Sequence, residues 1–472
     1  MLIKKTLGLL PAQLLSPLAQ FASILIWTHI ASSETIGIAT LISGQQELIR
    51  TIFLAWWSQY ALRFTGETHG SAKIFQSTSN SILLFAALAQ AIAGLLLLRL
   101  FVVAEPDFLL DLSVVLFVIL RSINQHNVNI AAVRSQTLDY NLLSIFGPVF
   151  GLGIGIILLS YGDNPAYPLL GYALGEAIGL IYSLVRNKTG WVGWQIDHSI
   201  LKQAFIYSLP LIISGTLAWG AGNLSRYIID HELGVAAAGD YAVGFGLGQR
   251  AAGLTAMLVT AAGLPLAIRR MQESGLSAAM QQLADNCALL LATMLPCLAG
   301  LYLVSPDLVQ LVLAKKFQKV TLEILPWALL SGGLYSFVYN YLNHYFLVTK
   351  NTRPLIMVDG SLALFTLVLS FPLIHFLGLV GGVIAMVLAG SCVVIALLVY
   401  LLGCRELRFP VKDACKIAIA TVVMAIAILF KPELKDIRLN LAGNILIGMI
   451  AYLTVLAFEY RARLQHYLRH KK

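Results

Sequence analysis

The chain is 472 residues long, 58% of them apolar and only 12% charged, with a mean hydropathy of +0.80. A water-soluble domain carries about 25% charged residues, so this chain cannot cover a wet surface with polar groups, and a soluble enzyme is excluded. The net charge of +9 is scattered over many short segments and five cysteines are few for the length, which excludes both a nucleic-acid partner and a disulfide scaffold.

In chain order, the first apolar stretch follows Lys4 and Lys5 and runs to Ile30. It has the charge of a signal peptide, but Pro11 and Pro17 interrupt it and it offers no clean Ala-x-Ala site. It reads as a retained first helix. A membrane helix needs roughly 20 apolar residues. Fourteen stretches qualify as spans: 8–29, 37–62, 80–103, 112–133, 142–160, 168–186, 204–228, 238–262, 284–304, 326–348, 354–376, 379–402, 415–430 and 440–459. The fourth has a polar second half and the thirteenth is short. Cys287, Cys297, Cys392, Cys404 and Cys415 fall in or beside these runs as small hydrophobes, and no disulfide is expected. The connections are too short for a soluble catalytic domain; the longest outer one is 305–325.

With the N-terminus in the cytoplasm, 21 of the 32 lysines and arginines fall on inner segments, eight on outer ones, and Arg50, Arg121 and Arg250 within spans. Inner loops carry the excess of Lys and Arg, so both termini are expected in the cytoplasm. Lys315, Lys316 and Lys319 form the one cluster against the trend.

An internal repeat divides the chain. Leu10-Pro11 and Leu209-Pro210 open the first and seventh spans, and Arg50 and Arg250 follow the prolines by 39 and 40 residues. Gly37 and Gly239 start the next span of each copy, in a register that needs a short gap. Six helices per copy is an even number, so the copies share an orientation about an axis along the membrane normal. The inner loop 187–203, with Trp191 and Trp194 at headgroup level, links them. The expected fold is an all-α polytopic membrane protein of about 14 helices. A six-helix lobe over 1–190 is followed by a linker over 191–203 and a second six-helix lobe over 204–402. Two extra helices and a basic tail occupy 403–472.

No catalytic or cofactor signature is present: no phosphate-binding Gly-rich loop with Lys, no His-Glu-x-x-His, no Gly-x-Ser-x-Gly, and nine histidines without metal-ligand spacing. Catalytic residues, metal and cofactor are all expected to be none. The positive signal is buried charge. A charge at mid-bilayer costs at least about 2.5–3.5 kcal/mol and so faces protein or a wet cavity. Arg50, Arg250 and Arg121 lie at that depth, with Glu47, Glu176 and Asp240 as the acids of similar depth. A guanidinium fork suits phosphate oxygens, which points to an anionic headgroup. The competing reading is that Glu47 and Arg50, three apart on one helix, neutralise each other. Asn124 and Gln125 extend the polar face of Arg121, suited to sugar hydroxyls or equally to interhelical hydrogen bonds. Tyr339 and Asn340 in the tenth span carry the same two readings. Asn223, Arg226 and Asp230 share one face near the outer end of the seventh span, as an outer gate or an interfacial ion pair. Asp285 and Asp359 lie near inner ends, where snorkelling or capping is the default and ion coupling the alternative.

The stretch from His29 to Gly37, a helix ending Tyr60-Ala-Leu-Arg-Phe64, and Leu209–Gly215 resemble polysaccharide biosynthesis proteins. So do Asn223, Arg226–Ile229, Leu233–Tyr241, and Lys316–Lys319 with Ile324-Leu-Pro326. The resemblance is to Wzx-type O-antigen and exopolysaccharide flippases of the multidrug/oligosaccharidyl-lipid/polysaccharide exporter superfamily, and it covers most of the first twelve helices. It implies two six-helix lobes, a central cationic cavity, alternating access and a location in the cytoplasmic (inner) membrane. The implied cargo is an undecaprenyl-diphosphate-linked oligosaccharide; the other expected partners are membrane lipid and polysaccharide polymerase and chain-length proteins. Relatives that flip peptidoglycan precursors carry an additional arginine in the first helix, where this chain has Trp27 and His29. The drug-extruding branch carries an acid there, and residues 8–30 contain none. The rival functions are a cation-coupled drug antiporter, which would use an acid such as Asp359, and a membrane polysaccharide polymerase or ligase.

Overall fold

The computed structural model describes residues 2–64, 72–103, 105, 107–187, 195–403 and 407–461, and no strand occurs among them. Trp191, Trp194, Cys404 and the tail beyond 461 lie outside the described residues. The chain begins with α1 (Leu2–Ile30) and α2 (Ser33–Arg50), which passes through a π-helical turn at Thr51–Ala55 into α3 (Trp56–Phe64). Next come α4 (Ala72–Phe101), α5 (Phe108–Val133), α6 (Thr137–Leu159), α7 (Ala166–Asn187) and α8 (His198–Leu233). After α9 (Val235–Val312), α10 (Lys315–Phe337) runs through a second π turn, Val338–Leu342, into α11 (Asn343–Val348). The chain closes with α12 (Arg353–Leu377), α13 (Leu379–Gly403), α14 (Val411–Leu429) and α15 (Ile437–Glu459).

The two π turns join α2 to α3 and α10 to α11 as continuous rods, and Gly275, at φ +80°, breaks α9 into two. The described residues therefore form fourteen rods, one for each expected span. The protein is an all-α, multi-pass membrane protein. Ten helices are long and apolar enough to cross a membrane on length and composition alone.

The rods outrun their apolar windows. The connection 263–283 is helical on both sides of Gly275, and 305–325 is helical except at residues 313–314. Hydropathy sees only the hydrocarbon core, whereas Arg269, which donates to Glu273 at 2.7 Å, is an i,i+4 pair that supports helix beyond it. Asp107, Asp197 and Asp436 accept backbone amide bonds at the N-termini of α5, α8 and α15, satisfying donors that a helix leaves open.

The chain divides into two compact units, Met1–Ala242 and Val243–Lys472. In the first, α6 and α7 meet through glycines: a Cβ on Gly171 would lie 2.7 Å from the Gly151 carbonyl oxygen, and one on Gly175 2.8 Å from that of Gly147. Lipid gives helices no hydrophobic reason to associate, so such close backbone contact supplies the attraction. Ile42, Ile49, Leu98, Val114 and Phe117 form one core; Trp57, Tyr60, Phe75 and Ala204 form another, which binds α8 to α3 and α4. In the second unit, Met424, Ile428 and Tyr452 pack α14 on α15. The Tyr452 hydroxyl donates to the Ala292 carbonyl at 2.7 Å.

Candidate functional site

Arg50 is the last α-helical residue before the first π turn. A π turn interrupts the regular ladder and is frequent at functional positions. Arg50 is half-buried, with Glu47 on its own helix and Arg121 on α5 as the charges near it. Arg121 lies 3.7 Å from Glu176 Oε1 and sits over the Phe117 ring at 5.5 Å. Glu176 is 4% exposed and also accepts a hydrogen bond from Asn124 Nδ2, which donates as well to the Leu143 carbonyl at 2.9 Å. Gly147 leaves the space that this carboxylate occupies; a Cβ there would collide with it. Gln46 donates to Ser122 Oγ at 3.2 Å, tying the same stretch of α2 to α5. Gln125 is exposed. Glu176 is thus engaged by Arg121 and Asn124, while Glu47, three residues before Arg50 on α2, is exposed.

In the second unit, Arg250 is half-buried in α9 beside Gln249, whose amide donates to Ser331 Oγ at 3.4 Å. Tyr339 and Asn340 lie within the second π turn. The Tyr339 hydroxyl donates to Asp359 Oδ1 at 2.9 Å, while Asn340 bonds its own helix at Ser336. Asp359 is 5% exposed, so it is held inside the protein and does not snorkel. Asp285 is exposed and accepts from Gln281 at 3.1 Å.

Asn223, Arg226 and Asp230 lie on α8. Asn223 bonds its own helix at the Trp219 carbonyl. The groups that tie α8 to α2 are its neighbours: Trp219 Nε1 donates to the Gly44 carbonyl at 2.7 Å and the Tyr227 hydroxyl to that of Leu41 at 2.8 Å. Beside them the first turns of α2 and α9 cross reciprocally. A Cβ on Gly37 would strike the Val235 carbonyl, one on Gly239 would strike that of Ser33, and Ser33 Oγ donates to Asp240 Oδ1 at 2.6 Å. The two repeat-related glycines thus meet each other. Sequence reasoning missed Ser33, Trp219 and Tyr227; the available signal was the matching Ser33-x-x-x-Gly37 and Val235-x-x-x-Gly239 spacing.

No group of three or more His, Cys, Asp or Glu among the described residues could hold a metal ion. What the sites offer is guanidinium and amide donors within long helices.

A family model described as polysaccharide biosynthesis protein matches residues 81–322, about half of the chain. Among curated proteins no sequence matches. Among solved structures the chain is similar to the lipid II flippase MurJ in an inward closed conformation, with a TM-score of 0.76 at 16% identity over 96% of this chain and 98% of that one. It is also similar to an inward-facing multidrug resistance MATE family transporter of the MOP superfamily, with a TM-score of 0.66 at 13% identity over 86% and 95%. A MOP superfamily transporter from Pyrococcus furiosus, whose binding pocket is described as reversed in polarity, gives a TM-score of 0.55 at 13% identity over 88% and 95%. These likenesses establish the fold.

Proposed function

The chain belongs to the polysaccharide biosynthesis protein family, and from that premise we propose that it is a flippase for a polyprenyl-diphosphate-linked oligosaccharide. The cargo, an O-antigen, capsule or exopolysaccharide repeat unit, passes from the inner to the outer leaflet of the cytoplasmic membrane by alternating access. The observation that carries this reading is the pair Arg50 and Arg121 within the helices of a membrane protein, with Glu176 already engaged. Arg50 and Arg250 hold the diphosphate by charge-assisted hydrogen bonds. Arg121 adds to the anion site; Asn124, held by Glu176 and Leu143, keeps Arg121 in place. Gln125, Tyr339 and Asn340 face sugar hydroxyls. Asn223, Arg226 and Asp230 belong to an outer gate whose closure is the Gly37–Gly239 crossing. The polyprenyl tail stays in lipid, and no covalent chemistry is performed. Both termini are cytoplasmic, the repeat copies over 1–190 and 204–402 are the two lobes, and polysaccharide polymerase and chain-length proteins act next.

Arg50→Ala and Arg250→Ala tested in a polysaccharide-producing cell should abolish transport with protein level intact. Arg→Lys should be poor, because the planar fork is lost. Full activity of the double alanine variant would remove the diphosphate clamp.

A second reading rests on Asp359: a buried acid bonded to a tyrosine suits a cation-coupled small-molecule antiporter of the same fold. It predicts drug sensitivity on deletion and loss of transport in Asp359→Asn.

A further inference from the structure

A groove of about 670 Å³ lies along α4, α5 and α7 in the first unit, apart from the arginine site. α5 forms its floor, and α4 and α7 its walls. The lining is graded. At one end are Gln76 and Asn80 of α4 with Asn127 and Arg134 of α5; deeper in are Leu84 and Ala87, Ile119 and Leu120, and Ala177 and Ile181. The three helices agree in sense: α4 runs away from the polar end, while α5 and α7 run toward it. Ile181 is 60% and Leu184 54% exposed, so the groove opens sideways. His126 sits on the floor, held by a 2.8 Å bond between its Nδ1 and Ser58 Oγ.

Ile119 to Arg134 is about 22 Å at 1.5 Å per residue, half of a bilayer about 40–45 Å thick with its headgroups. The groove therefore matches one leaflet: an apolar trough of acyl-chain depth ending in amide donors and one exposed guanidinium at headgroup level. Arginine offers two parallel donors to a phosphate.

We propose that this groove is a structural lipid site that holds one anionic phospholipid of the inner leaflet, its acyl chain between α4 and α7 and its phosphate on Arg134, Gln76 and Asn127. Only the choice of leaflet rests on the orientation proposed above. The lipid is a standing part of the first unit, bound outside the path of the cargo.

The test is native mass spectrometry of the full-length protein after exchange in vesicles of equal parts phosphatidylglycerol and phosphatidylcholine. One lipid per chain should be retained, with phosphatidylglycerol favoured about fivefold, the upper range for an exposed ion pair, because choline cancels the charge of the same phosphate in phosphatidylcholine. Arg134→Gln should bring that preference to about unity while transport persists at reduced protein lifetime. Ala177→Phe, filling the trough, should lose the lipid. Leu184→Trp on the exposed wall serves the same purpose if Ala177→Phe does not fold. An equal lipid ratio in the wild type, or unchanged preference in Arg134→Gln, overturns the proposal. Displacement of phosphatidylglycerol by a short polyprenyl diphosphate, one for one, also overturns it and assigns the groove to the cargo. None of the overturning results is read from transport, so the flippase reading and the lipid site fail separately.

Discussion

Replacing Gly239 with alanine tests the reciprocal crossing of α2 and α9. The new Cβ would collide with the Ser33 carbonyl and lie 2.9 Å from the Gly37 nitrogen. Both are backbone, so no rotamer change relieves the contact and the two helices must separate. Overpacking of this kind costs about 1–3 kcal/mol, and alanine's better helix propensity, shared by the open and closed forms, does not offset it. A penalty of about 1–2 kcal/mol, borne only by the closed crossing, shifts its ratio to the open form by about 5–30-fold. Ala238, 1% exposed beside the glycine, becomes the reporter as Ala238→Cys in a background without the five native cysteines. Its labelling by a membrane-impermeant maleimide should accelerate by about 5–30-fold in Gly239→Ala, and Gly37→Ala should act in the same direction. Unchanged labelling in both alanine variants would refute the idea that this crossing is a closure.

Arg121→Ala should destabilise the detergent-purified protein by about 3 kcal/mol, at the low end for a broken buried pair. Adding Glu176→Gln should restore most of that in a thermal-unfolding measurement. Tyr339→Phe removes a hydrogen bond to Asp359 and should cost about 1.5 kcal/mol, read from the shift of the thermal midpoint. At the start of α8, the Ser199 hydroxyl, with the Ile200 and Ser199 amides, holds the Asp197 carboxyl below its usual range. A depressed folded-state value means that its contribution is present above about pH 4 and is lost as pH falls through the lower folded value. Protection factors of the Ser199 and Ile200 amides, taken against the intrinsic rate at each pH, should therefore fall in acid, and fall less in Asp197→Asn, which caps without titrating.

The rods were legible because most are built on a long apolar run, and all fourteen runs correspond to rods. Their ends were not, since Lys315–Thr321 and Arg269–Glu273 are polar helix outside the hydrocarbon that hydropathy measures. The π turns at Thr51–Ala55 and Val338–Leu342 leave no mark in composition. Arg50, Arg121 and Arg250 stood out because charge in an apolar run is costly wherever it occurs. The partners were hidden: that Asn124 serves Glu176, or that Tyr339 serves Asp359, depends on which faces meet across segments 52 and 20 residues apart. The glycines were visible as a repeat, but not that the two copies touch.

The flippase account is tested most directly in a strain lacking the gene, by extracting the lipid-linked oligosaccharide, determining which leaflet holds it, and measuring surface polysaccharide. Complete repeat units confined to the inner leaflet, with surface polymer lost and both restored by the wild-type chain but not by Arg50→Ala, is the predicted result. Single units accumulating on the outer leaflet would contradict it, because translocation would then proceed without this protein and the block would lie in polymerisation or ligation.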